Sequence, residues 1–366
     1  MDCNAVSPQE LAQMQHLPLE AKIIKTKQRI KEFYQMTDGR IYVAFSGGKD
    51  STVLLHIVRD LFPNAPAVFA DTGVEFPEIR RFALSFPNVV AVKPRKRFLD
   101  IIRDCGYPII SKAVSCDVFY ARKCGEGIKK FNYFRYMSPK YKRHSVYHWQ
   151  CALDTPFLIS DKCCSYVKKL PMRDFEKESG LFPIVGTMAS EGGLREQNYL
   201  NFGCNVFSKV CTKSRPISFW TDNDVWEYIR RYNLPVCDLY HRGFLRTGCM
   251  FCGFGIFVDL NSRLCMKDTH SKAFDYFWNG GEFNSRGLWI PNAQGLGFGY
   301  VYRYLRRRRE DWHAISRGKS VNTQVDFDLP HYEPWTKQCK TDEELLELCK
   351  NWGERYHVLG GGSVSL

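Results

Sequence analysis

The chain has 366 residues, of which 44% are hydrophobic, and Lys and Arg outnumber Asp and Glu by 52 to 39, a net charge of +13. This length exceeds that of one ordinary domain, and the positive charge favours polyanionic partners such as nucleic acid or nucleotides over acidic proteins. No apolar run is long enough to cross a bilayer and the N-terminus has no signal-peptide pattern, so we expect a cytoplasmic protein without a membrane partner.

After a helical lead-in over residues 1–40, short apolar runs alternate with amphipathic stretches. The runs that predict strands are IYVAF, AVFAD and VVAVKP, and the stretches between them that predict helices are STVLLHIVRDLF and PEIRRFALSF. This β-α-β-α-β order predicts an α/β fold with a doubly wound parallel sheet. Further on, Thr221 begins a predicted helix as its N-cap, with Asp224 three residues later and Pro235 beyond its end.

Ligands of such a sheet bind beyond the carboxyl ends of the strands, so the residues that follow each strand are site candidates. A later strand, FPIVG, extends the set with the loop that comes after it. The candidates are residues 46–51, Asp71, Thr72, Gly73, Gly186 and Arg195.

The loop Ser46-Gly47-Gly48-Lys49-Asp50-Ser51 suits a phosphate. Its glycines let the backbone approach the anion, and the following helix points N–H groups and its positive dipole end at the same place. It is not a Walker A loop, which has Ser or Thr directly after the lysine where Asp50 stands here. A simpler interpretation is a glycine turn that only caps a helix.

These six residues match without change the PP-loop signature of N-type ATP pyrophosphatases, and the segment resembles that family. The resemblance implies ATP as ligand and cleavage between its α and β phosphates. It makes Lys49 and Asp50 the expected catalytic residues, with the loop amides and Lys49 neutralising the leaving pyrophosphate and Asp50 helping to hold Mg²⁺. Ser46, Gly47, Gly48 and Ser51 complete the expected nucleotide site.

Fifteen cysteines, an odd number, favour a metal or cluster site over a complete disulfide framework. Adjacent Cys163 and Cys164 and the later pair Cys249 and Cys252 form a set of four thiols, which suits zinc or a [4Fe-4S] cluster. The other cysteines are more typical of buried small apolar residues, with Cys116 and Cys124 as a reserve hypothesis of sulfur-relay thiols.

The Cys-Cys pair followed by basic residues and Leu-Pro, the segment RPISFWT and the distant Cys-x-x-Cys resemble the adenylyl-sulfate and phosphoadenylyl-sulfate reductase family. The Asp71-Thr72-Gly73 turn also looks like that family, and the matches span roughly residues 41–255. The resemblance implies a [4Fe-4S] cluster on Cys163, Cys164, Cys249 and Cys252.

Three features depart from those reductases. The Glu-Cys-Gly motif of their nucleophile is not present, Met188 stands where relatives usually have the first of two arginines, and the full Ser-Gly-Gly-Lys-Asp-Ser loop is kept. In these respects the chain resembles the adenylylating iron-sulfur subunits of DNA phosphorothioation systems. The expected function is ATP cleavage to AMP and pyrophosphate to adenylylate a substrate for sulfur transfer, on nucleic acid. The alternatives are a sulfonucleotide reductase that releases sulfite and a non-catalytic nucleotide or nucleic-acid binding module.

Residues 117–150 form a basic aromatic insert with eight Lys or Arg, two acids and nine aromatic residues. Such a segment either binds a single strand, by stacking bases and contacting phosphates, or forms a helical hairpin with an aromatic core. We predict a PP-loop domain over residues 41–260 that contains this insert, and a C-terminal extension over 261–366, in which the run Arg306–Arg309 is typical of a solvated face. A sulfur donor such as a cysteine desulfurase and a homodimer are further predictions.

Overall fold

The computed structural model describes residues 5–123, 149, 151–208, 211–254 and 260–315. The chain forms two compact units, each made of two segments. The first comprises residues 1–97 and 165–250, and the second comprises residues 98–164 and 251–366. The predicted domain limits at residues 40 and 260 stay a prediction.

The first unit contains a six-stranded sheet in the order β3-β2-β1-β4-β6-β5. Its strands are β1 Ile41–Phe45, β2 Ala67–Ala70, β3 Val89–Val92, β4 Phe182–Val185, β5 Asn205–Val206 and β6 Lys213–Ser214. All neighbouring pairs are parallel except β5 with β6. Val43 of the central strand lies opposite Ala67 on one side and Ile184 on the other. The predicted α/β class with a mostly parallel sheet is confirmed.

The helices of the first unit are α1 Pro8–Gln15, α2 Leu19–Met36, α3 Lys49–Leu61, α4 Pro77–Leu84, α8 Leu170–Ser179, α9 Leu194–Phe202 and α10 Asp222–Arg231. The apolar spacing predicts one face with Val53, Leu54, Ile57, Val58 and Leu61, and α3 buries all of these except Leu61, which is partly exposed. Helix α10 begins with the predicted cap, in which Thr221 Oγ1 accepts from the Asp224 amide and the Asp224 carboxylate accepts from the Thr221 amide. Two 3₁₀ turns, Ala189–Glu191 and Asp238–Arg242, and a π-helical turn, Ser165–Lys169, complete this unit.

The second unit is mainly helical, with α5 Phe98–Cys105, α6 Lys112–Lys123, α7 Lys162–Cys164, α11 Leu260–Thr269, α12 Ser271–Trp278 and α13 Phe298–Ile315, and a small hairpin of β7 Glu282–Phe283 and β8 Trp289–Ile290. Its core is aromatic: Phe298 stacks on Phe277 with ring centroids 4.4 Å apart and meets Tyr107 edge-on at 5.1 Å. Buried Tyr107 donates its hydroxyl to the Leu296 carbonyl at 2.8 Å.

The arginine run on α13 is only partly a solvated face. Arg308 is 12% exposed and lies 3.8 Å from the Asp154 carboxylate, and the Arg309 guanidinium stands 4.7 Å from the centre of the Trp149 ring. At these two positions the run contributes to packing within the second unit.

Most of the basic aromatic insert, residues 124–148 and 150, and the stretch 316–366 lie outside the described residues. The predictions that depend on them, including nucleic-acid contact by the insert and the sulfur-relay thiol Cys124, stay predictions. Within the part of the chain that the structure describes, no helix is both long and apolar enough to span a membrane.

Candidate nucleotide site

A cavity of about 490 Å³ opens at the carboxyl ends of β1, β2 and β4, and all of its lining belongs to the first unit. In the sheet, β2 and β3 lie on one side of β1, and the strands that come later in the chain lie on the other side. The strand order therefore reverses at β1, and ligands of open α/β sheets bind at such a switch point. The predicted candidates that line the cavity are Ser46, Gly48, Lys49, Asp50, Ser51, Gly186 and Arg195, whereas Gly47, Asp71, Thr72 and Gly73 do not.

The phosphate loop holds its shape through its own side chains. Ser51 Oγ donates to the Gly48 carbonyl at 2.8 Å and accepts from the Ser46 amide at 3.2 Å. Gly47 has a φ of +72°, which explains why glycine stands there. Helix α3 starts directly afterwards, and the amides of Asp50 and Ser51 donate to no group among the described residues. These two N–H groups at the start of the helix can therefore donate to a bound anion.

Lys49 places its ammonium between two carboxylates. Its side chain is 7% exposed, and Nζ lies 2.8 Å from Asp50 Oδ1 and 2.5 Å from Asp222 Oδ1. Burial by itself lowers the pKa of Lys49, but the adjacent Asp50 and Asp222 carboxylates outweigh it, so the pKa stands above its usual value and the ammonium stays charged. Asp222, the first residue of α10, was not a predicted site residue, because nothing in the local sequence connects it with a loop more than 170 residues earlier.

Tyr240 and Thr247 also meet the phosphate loop, and sequence reasoning missed both. The Lys49 amide donates to the Tyr240 hydroxyl at 3.0 Å. A Cβ built on Gly48 would lie 2.6 Å from Thr247 Oγ1, so this glycine is needed for close approach. Both residues belong to the segment between Cys237 and Cys249, in which no local pattern indicates a contact with the phosphate loop.

Two other predicted site residues, Gly186 and Arg195, help to form the cavity, Gly186 through its backbone and Arg195 through an ion pair. A Cβ on Gly186 would lie 3.2 Å from the Asp50 carbonyl and 3.3 Å from Ser51 Cα, so the end of β4 packs directly on the loop. Arg195 forms an ion pair with Glu191 at the cavity. Met188 is buried and lines the cavity.

The turn after β2 faces a different set of groups. Asp71 is buried and accepts from Arg80 Nε at 3.0 Å, while Thr72 Oγ1 donates to Glu75 Oε1 at 3.0 Å. The same Glu75 oxygen lies 3.1 Å from Lys168 Nζ and 3.7 Å from Cys249 Sγ. Burial lowers the pKa of Lys168, but Cys249 and Glu75 more than compensate and raise it. Glu75 and Lys168 line the cavity. Through Glu75, the cavity wall contacts Cys249, one of the predicted [4Fe-4S] ligands.

Cys163 and Cys164 lie on the short helix α7 with their sulfurs 3.9 Å apart, whereas Cys249 belongs to the first unit and Cys252 to the second. Four thiols have the right chemistry for a [4Fe-4S] cluster. Among the described residues, however, no three His, Cys, Asp or Glu side chains are grouped in a way that would hold a metal ion. The ligand set therefore stays a prediction, and no chemical step below is assigned to the cluster.

Two carboxylates meet at the phosphate loop, since Asp50 Oδ1 lies 2.8 Å and Asp222 Oδ1 lies 2.5 Å from Lys49 Nζ. Protein-bound Mg²⁺ is commonly held by one or two carboxylates together with phosphate oxygens of the substrate. The donor set thus suits an ion that arrives with a polyphosphate.

Comparison with known proteins finds a family model that matches part of the chain. Residues 40–93 and 129–253 match the phosphoadenosine phosphosulfate reductase domain. An uncharacterized protein of Methanocaldococcus jannaschii is 23% identical over 238 residues, which cover 61% of this chain and 44% of that protein. The chain thus spans less than half the length of this relative.

An adenosine 5'-phosphosulfate reductase of Lysinibacillus sphaericus is 26% identical over 228 residues, which cover 60% of this chain and 76% of the reductase. Among solved structures, phosphoadenylyl-sulfate reductase from Candida auris, in a phosphate complex, is similar with a TM-score of 0.38 and 15% identity. The similarity covers 68% of this chain and 98% of that one.

Proposed function

Because residues 40–93 and 129–253 match the phosphoadenosine phosphosulfate reductase domain, we propose that the chain binds ATP with Mg²⁺ in this cavity and cleaves it to AMP and pyrophosphate. The adenylyl group goes to an acceptor that afterwards receives sulfur. The observation that carries the proposal is the loop itself, in which the Lys49 ammonium, the Asp50 carboxylate and the open amides of Asp50 and Ser51 meet at one end of α3.

The proposed reaction places these groups around the leaving pyrophosphate. An acceptor oxygen attacks the α phosphorus, the bond from that phosphorus to the bridging oxygen breaks, and the bridging oxygen leaves with the electron pair as part of pyrophosphate. The negative charge that develops there is stabilised by Lys49 and by the two open amides, which are already oriented before the reaction. Mg²⁺, held by Asp50, would neutralise further phosphate charge.

Nucleic acid is the proposed acceptor class. Its support is the net charge of +13 and the basic aromatic sequence of residues 117–150. A sulfur donor, such as a cysteine desulfurase, would supply the sulfur that displaces AMP from the adenylylated acceptor. A [4Fe-4S] cluster on Cys163, Cys164, Cys249 and Cys252 is part of the proposal.

The test is a product analysis on anaerobically purified protein with ATP and Mg²⁺, in the presence and absence of DNA or RNA. We expect AMP and pyrophosphate, with stimulation by the nucleic acid that is the acceptor. Lys49→Ala should abolish the products while the protein stays folded. Lys27→Ala is the matched control, since Lys27 lies in the same unit and pairs with Asp60 instead. Equal turnover by wild type and Lys49→Ala would contradict the role of the phosphate loop in ATP cleavage.

Reduction of a sulfonucleotide is the second candidate, favoured by the names of relatives such as the Lysinibacillus sphaericus reductase. Adenylyl sulfate supplied with a thiol reductant distinguishes the two functions. Sulfite release with ATP left intact would select the reductase and reject ATP cleavage.

A further inference from the structure

Asp222 holds a fixed position against the phosphate loop. It is the first residue of α10, whose start is secured by the cap between Thr221 and Asp224, and Asp224 in turn accepts from the buried Lys22 ammonium at 2.6 Å. The Asp222 side chain is 62% exposed, yet its carboxylate lies 2.5 Å from Lys49 Nζ. Since Thr221 and Asp224 already cap the helix, helix capping does not account for this contact.

The contact changes the charge that a ligand meets. The charged residues that line the cavity comprise four bases, Lys49, Lys168, Arg195 and Arg246, and four acids, Asp50, Glu75, Glu191 and Asp222. Lys168 pairs with Glu75 and Arg195 with Glu191, one to one. Lys49 instead pairs with both Asp50 and Asp222, so these three side chains together carry a charge of −1, although the charged side chains of the whole lining, with Arg246 included, sum to zero.

From this arrangement we propose that Asp222 is a specificity-determining residue that makes the phosphate loop favour nucleotides carrying a divalent cation over bare anions. The inference rests on the proposed binding of ATP with Mg²⁺. A bare phosphate that approaches Lys49 meets two carboxylates of its own sign within a few ångströms. A divalent cation between carboxylates and phosphate reverses that repulsion, because both sides then bind the ion.

The selectivity is measured as the ratio of two dissociation constants for ATP, one in EDTA and one with excess Mg²⁺, by calorimetry on the full chain. Asp222→Asn removes the charge and keeps the shape, and we expect the ratio to fall about tenfold, a value reduced for the exposure of Asp222. Glu227→Gln, an identical charge change on the solvent side of the same helix, should leave the ratio unchanged. Asp222→Glu keeps the charge and should preserve most of the ratio.

A ratio that falls less than fivefold in Asp222→Asn, or falls equally in Glu227→Gln, overturns the inference and leaves ATP cleavage untouched, since products are assayed separately. Wild-type protein that binds adenylyl sulfate in EDTA but no ATP with Mg²⁺ overturns the proposed function as well. Melting temperatures of the three variants within about 2 °C of the wild type establish that each change acts on binding rather than on folding.

Discussion

The backbone amide of Lys49 donates to the hydroxyl of Tyr240, 191 residues later, at 3.0 Å. This amide is one of the first N–H groups of α3, which a bound phosphate would contact in a loop of this kind. A phosphate oxygen that binds this amide would therefore have to replace the Tyr240 hydroxyl as acceptor.

Tyr240→Phe should tighten ATP binding. Removing the hydroxyl leaves the Lys49 amide without its acceptor, at a cost of about 1 kcal/mol to the nucleotide-free protein, and a phosphate oxygen relieves that cost. We expect an affinity for ATP with Mg²⁺ higher by about fivefold and a slightly lower melting temperature. Tyr232→Phe, on a half-exposed ring of the same unit, is the control. Weaker binding by Tyr240→Phe would show that the hydroxyl contacts the ligand instead.

Gly48→Ala should weaken ATP binding about tenfold or more, because the new methyl group would lie 2.6 Å from Thr247 Oγ1 and push the two segments apart. Backbone strain is not the cause, since the φ of Gly48 is −83°. Adding Thr247→Ala should recover most of the loss, whereas adding Thr247→Ser, which keeps the oxygen, should not. Equal affinities for the two double variants would locate the damage elsewhere.

The buried pair of Lys22 and Asp224 should be important for stability. Lys22 is 1% exposed and its ammonium lies 2.6 Å from Asp224 Oδ2. Lys22→Met leaves a buried carboxylate without its counter-ion, and we expect the free energy of unfolding of the unit to fall by about 3 kcal/mol. Chemical denaturation measures it, with exposed Lys25→Met on the same helix as control. The double variant Lys22→Met with Asp224→Asn should lose less stability than the sum of the two single variants, which would show that the two side chains interact directly.

The sequence predicted the parts of this site that depend on local patterns. The strand, glycine loop and helix around Lys49 follow from adjacent residues, because apolar alternation, glycine and a helix start each leave a short-range signature. Asp222 and Tyr240 reach the loop only through the packing of α10 and the Asp238–Arg242 turn, for which no local pattern exists. The Asp71-Thr72-Gly73 turn was correctly placed after a strand, but its hydroxyl and carboxylate are engaged by Glu75 and Arg80 rather than by the cavity.

Cys204 should resist alkylation in the folded protein. Burial raises the pKa of this thiol to about 12 from a usual value near 9. Between pH 9 and pH 12 the thiol therefore keeps its proton in the folded protein and loses it on unfolding. Its contribution to the free energy of unfolding is complete below pH 9 and is lost as the pH rises from 9 to 12. At pH 9.5, native protein treated with iodoacetamide should show Cys211 modified and Cys204 intact by mass spectrometry. Equal labelling of both would contradict the burial of Cys204.

Cys249→Ser should remove the iron that we propose the protein binds. Cys249 is one of four proposed ligands, and serine at this position offers a harder, less readily ionised donor that is poor for iron in a cluster. Anaerobically purified wild type should be brown and contain about four iron atoms per chain, the content of one [4Fe-4S] cluster. We expect Cys249→Ser to lose the colour and most of the iron, and Cys211→Ser to keep both. Full iron content in Cys249→Ser would remove this residue from the ligand set. Zinc instead of iron in the wild type would show that the same thiols form a zinc site and not a [4Fe-4S] cluster.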